Sequence, residues 1–145
     1  MLKRLTIVAL AALTVACGDD RPILAAGTDG ASFERGFVPA IATSPIALVP
    51  YDIRNHGNAT AFIPNCGTHV LPVIETLVNG RWETYSSGFC ALSFGMGPIE
   101  LREGETHHDE LAIGDAGRYR IRVPYSADAH LRNRFATVSG PFDVH

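Results

Sequence analysis

The chain has 145 residues, 46% of them hydrophobic and 19% charged, which is enough for one well-buried domain and too few for two. Its 12 basic residues, all arginine except Lys3, are outnumbered by 15 acidic ones, for a formal net charge of −3. That acidic balance disfavours a nucleic-acid partner, so none is expected.

The first residues fall into three zones: a charged start at Lys3 and Arg4, an apolar run from Leu5 to Ala16, and Cys17 followed by Gly18, Asp19 and Asp20. This is the pattern of a secretory signal. The apolar run is well short of the roughly 20 residues that a permanent membrane-spanning helix needs. Leu13-Thr14-Val15-Ala16-Cys17 resembles the lipobox of bacterial lipoproteins, with Thr14 standing where an aliphatic residue is usual. The resemblance implies that residues 1–16 are removed and that Cys17 receives a thioether-linked diacylglycerol. It implies an address in the bacterial cell envelope and, because Gly18 follows the cysteine, the outer membrane facing the periplasm. Stable tethering takes more than one acyl chain. Without the leader ten arginines face 15 acidic residues, a net charge near −5.

Residues 17–36, rich in Gly, Ala and Asp and without a sustained period, read as the lipidated cysteine and a flexible tether. From residue 37 to 145 short β-like runs alternate with turn residues every eight to twelve positions, the spacing of a sandwich or barrel. Val49, Tyr51 and Ile53 alternate with Pro50, Asp52 and Arg54, which predicts a strand with one buried face. Pro50 lacks an amide donor and places this strand at an edge or a bulge. Asn55-His56-Gly57-Asn58 then predicts a turn, with Ala59 to Ile63 returning antiparallel. Val70 to Val78 and Arg81 to Tyr85 flank Asn79-Gly80, a strong hairpin signal because both turn residues accept positive φ. Trp82, the single tryptophan, is expected on the core near the hairpin base. Ile99 to Leu101 and Thr106 to Leu111 flank a turn at Arg102 to Glu105. Arg118 to Tyr125 is the clearest strand, with Tyr119, Ile121, Val123 and Tyr125 on one face. Ser126 to Arg134 has room for one helical turn, and Phe135 to Val138 with Phe142 to Val144 reads as a last strand or hairpin.

Besides Cys17 the chain holds Cys66 and Cys90. In an oxidising compartment an even pair is most simply a disulfide, with free thiols as the alternative. No CxxC or mixed His/Cys spacing points to zinc, so no metal or cofactor is expected.

Asp115-Ala116-Gly117-Arg118-Tyr119 resembles the D-x-G-x-Y motif of immunoglobulin-like domains, in which a tyrosine hydroxyl caps a backbone corner. Ile121 stands where those domains carry a cysteine, so Cys66–Cys90 is a different staple. The order Asn55-His56-Gly57, Cys66, Trp82, Cys90, Glu103-Gly104-Glu105, Gly117-x-Tyr119 is similar to bacterial envelope Ig-like domains and, more distantly, to the bacterial intracellular proteinase inhibitor family. The resemblance spans residues 45–144 and implies an all-β, immunoglobulin-like antiparallel sandwich of about 7–9 strands.

His107-His108-Asp109 is the one cluster suited to metal or proton chemistry, but neighbours on a strand point to opposite faces, which favours solvated strand residues. His56, His69, His130 and His145 lie apart and form no ligand motif. Ser86, Ser87 or Ser93 with a histidine suggests a triad only on paper, since G-x-S-x-G is absent. Arg118, Arg120 and Arg122 form an outward stripe that suits an acidic partner. Pairing with acidic residues on neighbouring strands, Glu100, Glu103, Glu105, Asp109 and Glu110 among them, is the plainer reading. The sequence therefore points to a non-catalytic, lipid-anchored binding or structural module, held to the membrane by its lipid and partnered by another envelope protein or polymer. The alternative is an envelope proteinase inhibitor acting through the exposed loop Ser86 to Pro98.

Overall fold

The computed structural model describes residues 22–28, 32–36, 44–88, 90 and 97–145, and every regular element among them is a strand. The all-β expectation holds. One sheet of three antiparallel strands has β3 (Ala47–Asn55) at its centre, flanked by β1 (Leu24–Gly27) and β10 (Thr106–Ile113). A second, mixed sheet is built around β11 (Gly117–Ser126). On one side β11 pairs with β12 (Arg134–Val138) and β13 (Phe142–Val144), and β13 takes β2 (Ser32–Phe33) in parallel. On its other side lie β4 (Ala61–Ile63), which pairs with β9 (Ile99–Leu101), and β7 (Val73–Val78), which pairs with β8 (Arg81–Ser87). A small ladder joins β5 (Asn65–Cys66) to β6 (His69–Val70).

Strict alternation sets the core. Along β3 every odd-numbered residue from Ala47 to Asn55 is buried and every even-numbered one exposed. Val49, Tyr51, Ile53 and Ile113 from the first sheet share one apolar cluster with Ile63, Ile74, Tyr119, Ile121, Val123 and Phe142 from the second. Each such aliphatic side chain contributes roughly 1.5–3 kcal/mol by leaving water.

Several local expectations are corrected. The turn after β3 does not return into a hairpin: β4 joins the other sheet. The cause is Asn55, fully buried, whose Nδ2 donates to the Ala59 and Leu101 carbonyls at 2.7 and 2.9 Å while its Oδ1 accepts from the Gly57 amide at 3.0 Å. Those bonds lead the chain across from one sheet to the other. The Glu103-Gly104-Glu105 turn docks on the same residue, Gly104 donating to the Asn55 carbonyl and Asn55 to that of Glu105. Pro50 sits in a strand that is central over Asp52–Asn55, but β1 has ended before the proline, so the missing donor leaves no rung broken on that side.

The final segments are two pieces of one edge, not a hairpin with each other, since β12 and β13 both lie against β11. Ser139 spans the break: its amide donates to the Ile121 carbonyl, and its hydroxyl accepts from the Ile121 amide, both at 2.9 Å. Residues 127–133 are not helical; the Asp128 carboxylate collects the His130 and Asn133 amides instead. β1 and β2 lie within the stretch expected to be a flexible tether. Leu24 and Ala26 are buried in the core, and Phe33 packs edge-on against Phe142.

Candidate functional site

The outward face of β11, β7 and β8 concentrates charge and an aromatic ring. Arg118, Arg120 and Arg122 share one side of β11, and Glu75 faces Arg120 across the ladder from β7. The Glu75 carboxylate accepts from Arg120 Nε at 2.6 Å and from Arg122 Nε at 3.0 Å. Burial raises the Glu75 carboxyl, but the two guanidinium bonds outweigh it and hold the group below the ordinary glutamate range. Arg118 pairs more loosely with Asp143, at 3.4 Å. The Arg120 guanidinium reaches over β7 to lie 4.5 Å from the centre of the Trp82 ring, a cation–π contact.

Trp82 is thus on the outer face and not on the core, which corrects the expectation for it. It stands opposite Leu77, two strands away from Arg120 on the same surface. A register shift between Ile74 and Glu75 skips Tyr85 on β8, so alternation counted along the sequence fails there. Tyr85 takes the inward place, edge-on to Tyr119. The arginine stripe is internally paired, as its plainer reading holds, but its partners are Glu75 and Asp143; Glu100, Asp109 and Glu110 lie on β9 and β10, and Glu103 and Glu105 in the turn between them. Arg120 and Arg122 each use only Nε on Glu75, leaving their Nη atoms without a hydrogen-bond partner among the described residues.

The histidine cluster divides between two faces. His108, outward on β10, bonds Asp52 at 2.5 Å, while Asp109 points inward with its side chain 5% exposed. Asp109 accepts from the Val70 amide at 2.7 Å, the Glu110 amide at 2.8 Å and the Tyr51 hydroxyl at 3.4 Å, and lies 2.8 Å from His69 Nδ1. Burial raises its carboxyl, and the bonds from His69, Val70 and Glu110 more than offset this, leaving it below the usual aspartate range. Burial and the Asp109 charge push the Tyr51 phenol well up. His107 Nε2 is buried without a hydrogen bond, 3.9 Å from Asp109. In the sequence His69 stands apart from the other histidines and forms no ligand motif; only the docking of β5–β6 on β10 brings it to Asp109, 40 residues away. Its one sequence signal is position, three residues beyond Cys66.

Among the described residues no three His, Cys, Asp or Glu side chains group to hold a metal ion. The Tyr119 hydroxyl donates to the Asp115 carbonyl at 3.0 Å, and Tyr85 holds the Asp115 carboxylate at 2.9 Å. A Cβ on Gly117 would stand 3.2 Å from the Tyr119 ring, so glycine leaves room for the corner. Cys66 and Cys90 form the expected disulfide, with Cα atoms 5.5 Å apart. Cys17 lies outside the described residues, as do Ser93 and most of the loop assigned to the inhibitor alternative.

No family model and no curated protein matches the chain. Among solved structures, the X-ray structure of Northeast Structural Genomics Consortium target SoR45 is 14% identical, covers 86% of this chain and 84% of its own, and superposes with a TM-score of 0.39.

Proposed function

We propose that this chain is a non-enzymatic, lipid-anchored module of the bacterial cell envelope, an immunoglobulin-like sandwich that binds or supports another envelope component. The lipobox-like Leu13 to Cys17 supports the anchor. The Asp115–Tyr119 corner and a single core fed by two sheets support the sandwich. One observation carries the binding role: on an acidic chain, three arginines lie along one strand beside an outward tryptophan, and two of them keep their Nη donors unpaired among the described residues. Guanidinium forks of this kind suit carboxylate or phosphate groups.

The test is affinity capture from detergent-solubilised envelope with the wild-type chain and an Arg120→Ala/Arg122→Ala double variant, both checked for folding. A component retained by the wild type and lost with the variant supports the reading. Equal retention by both moves the site elsewhere. Saturable inhibition across a protease panel would replace the reading with the inhibitor alternative.

A further inference from the structure

We infer that the end of the domain where Pro22 enters it, comprising Ile23, the Arg102–Glu105 turn and the loop between β11 and β12, rests against the lipid surface. This inference depends on lipidation at Cys17, as proposed above.

Leash length carries the argument. Pro22 and Ile23 are fixed on the domain: the Tyr125 hydroxyl donates to the Pro22 carbonyl at 3.3 Å, and the His56 amide to that of Ile23 at 2.8 Å. Five residue steps separate Cys17 from Pro22, which fully extended reach about 18 Å. Tyr125 and Ser126 end β11, whose ten residues run about 30 Å to Gly117 at the opposite pole. The Asn79-Gly80 turn lies beyond that far pole, because β7 runs antiparallel to β11 and passes Tyr119 at Thr76. A leash of about 18 Å cannot invert a body about 30 Å long so that the far pole meets the bilayer.

The near pole has suitable chemistry. Ile23 is 57% exposed. The Arg132 side chain is 76% exposed, loosely paired through Nε with Asp128 at 3.6 Å, and Arg134 and Arg102 are exposed nearby; guanidinium groups of this kind suit headgroup phosphates. The acidic side chains there are largely engaged by backbone: Asp128 gathers amides from its own loop, and Glu105 accepts from the Arg102 amide at 2.7 Å. Glu103 faces solvent.

The native chain supplies a control, since its single tryptophan, Trp82, is level with Arg118 near the far pole. The experiment uses lipidated full-length protein purified from bacterial membranes and reconstituted into phosphatidylethanolamine–phosphatidylglycerol vesicles with or without brominated acyl chains. Reporters are wild-type Trp82, half-buried under the Arg120 guanidinium on the outer face, and, in a Trp82→Phe background, Ile23→Trp and Arg132→Trp at exposed positions. Loss of Ile23→Trp and Arg132→Trp emission in brominated vesicles, with Trp82 unaffected, is the expected result. Quenching of Trp82 means that the domain lies on its arginine face, and quenching of no reporter means that it stands clear of the bilayer; either overturns the inference. Failure of the wild type to float with vesicles sinks the lipid anchor itself, a different outcome from floating without quenching.

Discussion

Asp109 shows how much one side chain can organise when the chain folds a distant segment onto it. Its carboxylate draws the backbone of β6, the Tyr51 hydroxyl and the His69 ring to one point at the margin of the core. Its folded pKa lies below the unfolded value of about 3.9. The sign follows: the carboxylate contributes stability that is fully present above the unfolded pKa and is lost as pH falls through the folded one. Asp109→Asn keeps the shape but loses the charge, so at pH 7 it should cost about 2 kcal/mol, the order of a hydrogen bond to a charged group. Below pH 3 the gap to wild type should shrink. Urea midpoints across that range measure it; a gap that does not shrink would assign the cost to packing. At this scale the sequence was readable where partners are close in the chain, as at Asp115, Gly117 and Tyr119. It was not readable for His69 and Asp109, whose partnership depends on tertiary docking.

Hairpins and strand edges show a second limit. Asn79 and Gly80 take φ of 50° and 77°, and Val78 pairs with Arg81, so the two-residue turn was legible from the dipeptide. The bulge five residues later was not, since no residue type marks it; nor was the outward place of Trp82, which comes from standing opposite Leu77 on the Glu75 side of β7. Trp82→Ala should therefore cost about 1 kcal/mol, the worth of an exposed cation–π contact with some buried area. A core tryptophan would cost about 3–5 kcal/mol, and a loss in that range would return Trp82 to the core. The disulfide acts on a neighbouring element. Its sequence separation of 24 gives about 3.5 kcal/mol from loop entropy in the unfolded chain. A Cys66→Ser/Cys90→Ser pair should lower stability by that order and speed hydrogen exchange in β5 and β6. Exchange in β3 and β11 should stay slow, because their alternating side chains pack without it; loss of protection there would make the disulfide a condition of the fold.

For the whole molecule, alternation along β3 and β11 was enough to foresee an all-β core fed by two faces, since β3 keeps its period from end to end and β11 keeps it as far as Val123. The lower boundary of the domain was not foreseeable. Leu24-Ala25-Ala26-Gly27 is too short and too rich in small residues to advertise a strand, and its role comes from the partner that it finds in β3. There it supplies buried Leu24 and Ala26 and covers the edge of a strand that would otherwise expose unpaired amides over Asp52–Asn55. Phe33, on β2, adds an edge-on contact to Phe142. A chain truncated to begin at residue 37, where the sequence pattern alone starts the domain, should be less stable than one beginning at residue 22 by about 3 kcal/mol or more, from the loss of Leu24 and part of Phe33. It should also self-associate, because the uncovered edge of β3 is a template for another strand. Denaturation midpoints and light scattering of the two truncated chains decide the matter. Equal midpoints would return residues 22–36 to the role of a tether and lengthen the leash by the same stretch, removing the constraint that turns the Pro22 pole toward the lipid.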